Sequence, residues 1–157
     1  MAIINKATAV IGLALAVLIG GTLSIASEAT AAELAKFTII DDNSVDQSLT
    51  GKPGDPAKGR KTVYNRKLGN CLTCHVMPIP EQDFHGNIGP DLHGVGDRYT
   101  AGELRLRLID SKVVNPDSIM PSFYRTNFHR VLKGFEGKTV LSAQQIEDVV
   151  AYLVTLK

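Results

Sequence analysis

A chain of 157 residues, 44% apolar and 21% charged, suits one ordinary domain and is neither disordered nor a multi-span membrane protein. Seventeen Lys plus Arg against sixteen Asp plus Glu leave a net charge of +1, which gives no global field for holding nucleic acid. Two cysteines exclude a disulfide-stapled scaffold, and five Phe, four Tyr and no Trp are few aromatics with which to build a core.

Residues 1–32 read as a secretory signal peptide. Ala7 to Ser27 carries no charge, follows Lys6, and runs into Ala29-Thr30-Ala31-Ala32, a small-residue pattern suited to a signal peptidase. An uncleaved anchor is the rival, since a charge-free run of this length can just span a bilayer. The central apolar block, Ala9 to Gly20, has the length of a signal h-region, and no basic flank follows it. Once the signal is removed, the exported chain has no membrane contact.

Residues 33–54 read as an N-terminal extended arm. Phe37-Thr38-Ile39-Ile40 is a short β-branched run, and Asp41-Asp42-Asn43-Ser44 and Gly51-Lys52-Pro53-Gly54 are turn sequences. Residues 55–157 then form a mainly α domain. Asp55 as N-cap and Pro56 at the first helical position predict a helix from Pro56 to about Leu68, ended by Gly69, with Arg60, Lys61, Arg66 and Lys67 outward. Three prolines and four glycines between Met77 and Tyr99 predict irregular chain built around a fixed object. Thr100 caps a helix whose Leu104, Leu106, Leu108 and Ile109 run to about Ser111, and Asn115 to Pro121 is irregular again. The closing helix has the clearest start: Ser142 and Gln145 make a capping box, Leu141 staples onto Ile146, and Ile146, Val149, Val150 and Leu153 share a face to the C-terminus.

Both cysteines lie in Cys71-Leu72-Thr73-Cys74-His75, the attachment sequence for one covalently bound haem c. Two thiols one helical turn apart add across the porphyrin vinyl groups, and the adjacent imidazole of His75 is thereby placed to bind the iron. Three other chemistries use such residues. A zinc shell needs four ligands and there is no second Cys pair; a thioredoxin-like pair needs a βαβ setting; a local disulfide leaves His75 and the export signal without a purpose. The distal iron ligand falls to Met120, on a Pro-flanked irregular segment long enough to wrap the macrocycle, since Met77 is tied to the His75 side and Met1 leaves with the signal. His85, His93 and His129 are imidazole rivals, although a loop histidine is more often a surface residue or a local hydrogen-bonder. Pro90 is either a plain turn proline or the rigid donor of a backbone carbonyl to the second ring nitrogen of His75.

The order of helix, Cys-x-x-Cys-His, Gly-Pro loop, Met-Pro segment and closing helix resembles the class I cytochromes c. The stretch Gly89 to Arg98 is similar to the Gly-Pro loop of mitochondrial-type members. That resemblance implies a helical fold wrapped around one haem, a Pro90 carbonyl on the proximal histidine, Arg98 near a haem propionate, and His93 on a non-ligand position. It also places Gly59, Val63 and Tyr152 where the first and last helices cross closely. A narrower resemblance runs through Leu49 to Gly54, Gly69 to His75, Phe84 to Asp91, Glu103 to Arg107, Met120 to Arg125 and Glu147 to Tyr152. In combination these stretches resemble the SoxX cytochromes of bacterial sulfur oxidation.

The SoxX resemblance implies a periplasmic heterodimer with a SoxA-like haem subunit that carries the catalytic haem. The complex, an L-cysteine S-thiosulfotransferase, joins thiosulfate oxidatively to a cysteine of the carrier SoxY. This chain would supply a His/Met-ligated electron-accepting haem and no catalytic residue, with transient contacts to a SoxYZ-like carrier and a downstream electron acceptor. The rival is a free-standing periplasmic electron shuttle. The arm before the first helix and the Phe123-Tyr124-Arg125 cluster are surplus to a minimal shuttle and suit a permanent interface, whereas a tail packed on its own domain is the plainer use of the arm. The Arg60, Lys61, Arg66 and Lys67 group either steers an acidic partner or is a solvated helix face. Without haem, the space between Cys74, His75, Pro90 and Met120 is expected to form an apolar pocket.

Overall fold

The computed structural model describes residues 34–127, 134 and 136–157; the signal sequence expected over 1–32 and His129 lie outside them. In chain order the elements are α1 (Pro56–Tyr64), a 3-10 turn (Cys71–Thr73), α2 (Val95–Arg98), α3 (Ala101–Val114) and α4 (Ala143–Leu153). Among the described residues the β pairing is one isolated bridge, Ile40 to Ser44, in the arm. The fold is therefore mainly helical with an extended arm, as the pattern predicts. No helix of the described residues is long and apolar enough to cross a membrane.

α1 starts where Asp55 accepts the backbone N–H groups of Ala57 (2.9 Å) and Lys58 (3.2 Å). It stops at Tyr64, short of the expected Leu68. Asn65 turns extended (φ −71°, ψ 113°), and its side-chain oxygen accepts the Lys67 N–H at 2.9 Å, a local bond that competes with the helix. The Gly69 N–H then folds back to the Thr62 carbonyl (3.2 Å). Arg66 and Lys67 consequently lie beyond the helix, and Arg60 is engaged in an ion pair with Glu81, so the basic group does not form one helical face.

α1 and α4 cross with their backbones almost touching. A Cβ on Gly59 would fall 1.9 Å from the Asp148 carbonyl oxygen and 2.9 Å from the Tyr152 Cβ. Beside it Val63 is fully buried, and Ile146, Val149 and Val150 bury the α4 face that the capping-box reading assigned. α4 ends at Leu153, and the last residues turn back: the Gly96 N–H donates to the Leu156 carbonyl (2.9 Å), seating α2 against the chain terminus. α2 itself lies within the stretch expected to be irregular; a four-residue turn entered through Gly94 at φ +64° leaves no periodicity to read.

Thr100 and Glu103 form a full capping box on α3, which runs to Val114, beyond the expected Ser111. Inside it Asp110 is non-helical (φ −160°, ψ 98°), so α3 is two helical pieces joined at a break. α3 is bound to α4 and to the arm by one buried ion pair. Arg105 Nε and Nη2 donate to Glu147 Oε1 (2.8 Å) and Oε2 (2.9 Å), its Nη1 donates to the Val45 carbonyl (2.6 Å), and Glu147 Oε1 also accepts the Leu49 N–H (2.9 Å). With Val45 and Leu49 buried, the arm is part of this domain's own core. The Phe123-Tyr124-Arg125 cluster also departs from the interface expectation: Phe123 and Tyr124 are buried, and Arg125 pairs with Asp110.

Replacing Glu147 by Ala should cost about 3–5 kcal/mol in denaturant unfolding, because Arg105 would remain buried without its counter-charge. Gly59→Ala should cost about 3 kcal/mol by the same measurement, since neither helix backbone can yield to a Cβ at that separation.

Candidate functional site

The cysteine turn is entered through Asn70 in the left-handed region (φ 49°), which asparagine tolerates better than most residues. Cys74 and His75 both donate their N–H groups to the Cys71 carbonyl (3.0 and 2.9 Å), so two free thiols and the imidazole are carried by one turn. Buried Leu72 anchors that turn to the core. Desolvation pushes the Cys71 thiol up to about 12, which keeps it protonated and unlike the acidic thiol of a thioredoxin-type pair. Among the described residues no group of three or more His, Cys, Asp and Glu side chains converges as a zinc shell would need.

The chain from Gly86 to Leu92 is stitched onto this turn by backbone hydrogen bonds. Gly86 N–H donates to the Leu72 carbonyl (2.7 Å), Gly89 N–H to Cys74 (2.8 Å) and Leu92 N–H to Val76 (2.9 Å). This docking sets the Pro90 carbonyl 2.7 Å from His75 Nδ1. With Nδ1–H donated there, the lone pair stands on Nε2, which bonds no described residue. Gly89 is needed because a Cβ would fall 2.4 Å from the imidazole Cε1. Of the two readings of Pro90, the carbonyl contact is the one present.

Arg98 lies on the same loop. Its Nη1 donates to the His93 carbonyl (2.6 Å) and its Nη2 to the Asp91 carbonyl (2.7 Å), bracing the chain on the far side of Pro90. His93 Nδ1 is 2.6 Å from Asp91 Oδ1, and the Asp91 carboxyl is held below the usual carboxylate range, first by the His93 N–H and then by the His93 ring. His85 Nδ1 accepts the Met77 N–H (3.3 Å), and its buried Nε2 has no partner among the described residues. Met77 is itself a core residue.

Met120 sits on a different segment. Half-buried against the core, it accepts a hydrogen bond from Ser111 Oγ at its carbonyl (3.1 Å) and donates its N–H to Ser118 Oγ (3.3 Å). Among the described residues the three most exposed large apolar side chains are Phe84 (86%) and Ile88 (66%), on or just before the loop stitched to the cysteine turn, and Ile119 (79%), next to Met120. About two-thirds or more exposed, well beyond the partly exposed Ile39 and Ile40 of the arm, these call for an apolar cover. Free paired thiols, an uncommitted Nε2 and that bare apolar rim fit a haem. The expected pocket between Cys74, His75, Pro90 and Met120 is not one of the two clefts described among these residues, which lie beside the arm, at Leu34, Ala35 and Leu49, and against α4, at Pro53, Gln144 and Asp148.

Sequence reading missed Gly89 as a spacer for the imidazole and Asp110 as the break in α3. The Gly-Pro pair was a usable signal for the first. For the second there was none, since Asp110 stands at an ordinary helical position in the apolar pattern.

Residues 56–157 match the family model for cytochrome c. No curated protein matches the chain. Among solved structures the chain is similar to one chain of the crystal structure of SoxXA from P. pantotrophus. The two share 42% identity and a TM-score of 0.70, over 77% of this chain and 94% of that one. A covalently bound haem c is thus the cofactor, as the Cys-x-x-Cys-His turn requires. With that sequence identity spanning almost all of the matched chain, this protein belongs to the cytochrome c family and, within it, to the SoxX cytochromes.

Proposed function

We propose that this chain is the electron-accepting subunit of a periplasmic complex in which a SoxA-like haem subunit couples thiosulfate to a cysteine of a SoxYZ-like carrier. The observation that carries the reading is the extent of the likeness to the SoxXA chain. It covers 77% of this chain, more than the cytochrome c match over 56–157, and so takes in residues before the first helix that a generic cytochrome does not need. The burial of Val45 and Leu49 of the arm and of Phe123 and Tyr124 favours the second reading, a free-standing shuttle, by giving these side chains to the domain's own core. The SoxXA likeness outweighs it, because internal packing of the arm is compatible with a partner elsewhere.

Joining a thiosulfate sulfur to a carrier thiol forms one S–S bond and releases one proton and two electrons. Haem iron supplies the acceptor for these electrons, one at a time. The chain's own residues hold that group. Cys71 and Cys74 would hold it through thioether links, and His75 Nε2 and Met120 would be the ligands to its iron. Pro90 fixes the imidazole through Nδ1. Arg98 keeps the Pro90 loop in place with two of its five N–H donors and has the others left for a propionate. With its two cysteines consumed, the chain has no thiol nucleophile, and the bond-forming step belongs to the partner. Residues 1–32, as a cleaved signal peptide, deliver it to the periplasm.

Ferric holoprotein mixed with thiosulfate and the carrier should stay oxidised alone and become reduced once the SoxA-like subunit is added; reduction without that subunit would favour the shuttle. Met120→Ala should abolish the long-wavelength charge-transfer band of thioether-ligated ferric haem and lower the reduction potential, and an unchanged spectrum would remove Met120 from the iron. Gly89→Ala should displace the His75 ring and lower the yield of correctly ligated holoprotein about tenfold, read from the ratio of haem absorbance to protein.

A further inference from the structure

We propose that Asp110 is the positioning residue for Met120: by breaking α3 and gathering Ser122 and Arg125 onto one buried carboxylate, it fixes the loop that presents the thioether to the iron. The inference rests on the reading of Met120 as distal ligand.

The break at Asp110 (φ −160°, ψ 98°) interrupts the helical ladder and releases two carbonyls on its N-terminal side. Those carbonyls are used by the Met120 loop. Leu108 accepts the Phe123 N–H (3.0 Å) and Ile109 accepts the Tyr124 N–H (3.4 Å). The side chain at the break completes the grip. Asp110 is 3% exposed, and its Oδ1 accepts the Ser122 hydroxyl (2.7 Å) and the Lys112 N–H (3.2 Å), while Oδ2 pairs with Arg125.

On the other side of Met120 the next residues of the same helix take hold. Ser111 Oγ reaches the Met120 carbonyl (3.1 Å) and lies 3.0 Å from Ser118 Oγ, and Lys112 Nζ donates to the Ser118 carbonyl. The ligand is therefore bracketed by 118 and 122–125, and on both sides bonds of the bracket end on residues 108–112, while the Phe123 carbonyl also accepts the Val140 and Leu141 N–H groups and Tyr124 Oη the Ala35 N–H. An unbroken helix would leave the Leu108 and Ile109 carbonyls occupied and offer the loop no backbone partners. A buried carboxylate amid Leu106, Leu108 and Ile109 is costly unless fully hydrogen-bonded, and here the loop supplies the bonds.

Release of the loop should be visible as competition for the iron by an added ligand. Imidazole is titrated into the ferric holoproteins of the wild type, Asp110→Asn, Ser122→Ala, Glu147→Gln and Met120→Ala; binding is followed by the shift of the main haem absorbance band, and the thioether charge-transfer band of each protein is recorded before ligand is added. Glu147→Gln serves as the control, because it neutralises a different buried carboxylate, the one bonded to Arg105 and Leu49. Asp110→Asn should bind imidazole about tenfold more tightly than wild type, and Ser122→Ala about threefold, with Glu147→Gln unchanged. If Asp110→Asn folds too poorly to load haem, Ser122→Ala decides. Wild-type affinity in Asp110→Asn and Ser122→Ala would overturn the proposal, and so would an equal gain in Glu147→Gln, which would mark general loosening. Met120→Ala separates the two layers: a wild-type spectrum there would remove the axial reading and this proposal with it, whereas a lost band combined with an unresponsive Asp110→Asn would overturn the proposal alone.

Discussion

The contact on which the molecule is assembled is the crossing of α1 and α4, where Gly59 lets the two backbones meet without a side chain between them. Each end of the crossing leads to part of the site. α1 runs through the Asn65 turn into the cysteine motif, with Gly69 returning to Thr62 so that the motif starts directly beneath the helix. α4 carries Glu147, which holds Arg105 of α3, and the residues after it turn back so that the Leu156 carbonyl accepts the Gly96 N–H of α2. The proximal turn, the Gly-Pro loop and the helix that supports Met120 are thus all referred to one helix pair, whose apolar contacts make up much of the buried core.

The proximal and distal parts of the site are built by different means. On the proximal side, backbone bonds from Gly86, Gly89 and Leu92 dock the loop on the cysteine turn, and the Pro90 carbonyl then decides which imidazole nitrogen faces outward. Little there depends on long side chains. On the distal side the support is a cluster of polar side chains around a break in a helix. Burial works against the Asp110 carboxylate, but hydrogen bonds from Ser122, the Lys112 N–H and Arg125 more than offset it and hold the group below the usual carboxylate range. Under the proposed ligation, a backbone-secured His75 with a side-chain-secured Met120 would suit an electron carrier, where the iron must keep both ligands in either oxidation state.

What could be read in the sequence was local chemistry. The cysteine motif, the Asp55 cap and the Ser142 capping box each depend on residues within a few positions of one another, and the structure places those helix starts as expected. The end of α1 was misplaced because Asn65 and Gly69 both stop helices, and only the folded chain shows that Asn65 acts first. Phe123 and Tyr124 read in the sequence as interface residues, and what folds them inward is carbonyls freed by a residue at position 110. The arm was ambiguous for the same reason: its anchor is an Arg105–Glu147 pair from two distant helices.

The central claim is that this haem domain works as one half of a permanent complex. Purification of the protein from its native periplasm, followed by measurement of mass and haem content of the eluting species, tests it most directly. A tightly held second cytochrome in constant ratio, with more than one haem per copy of this chain, is the expected result; a monomer with a single haem would contradict it.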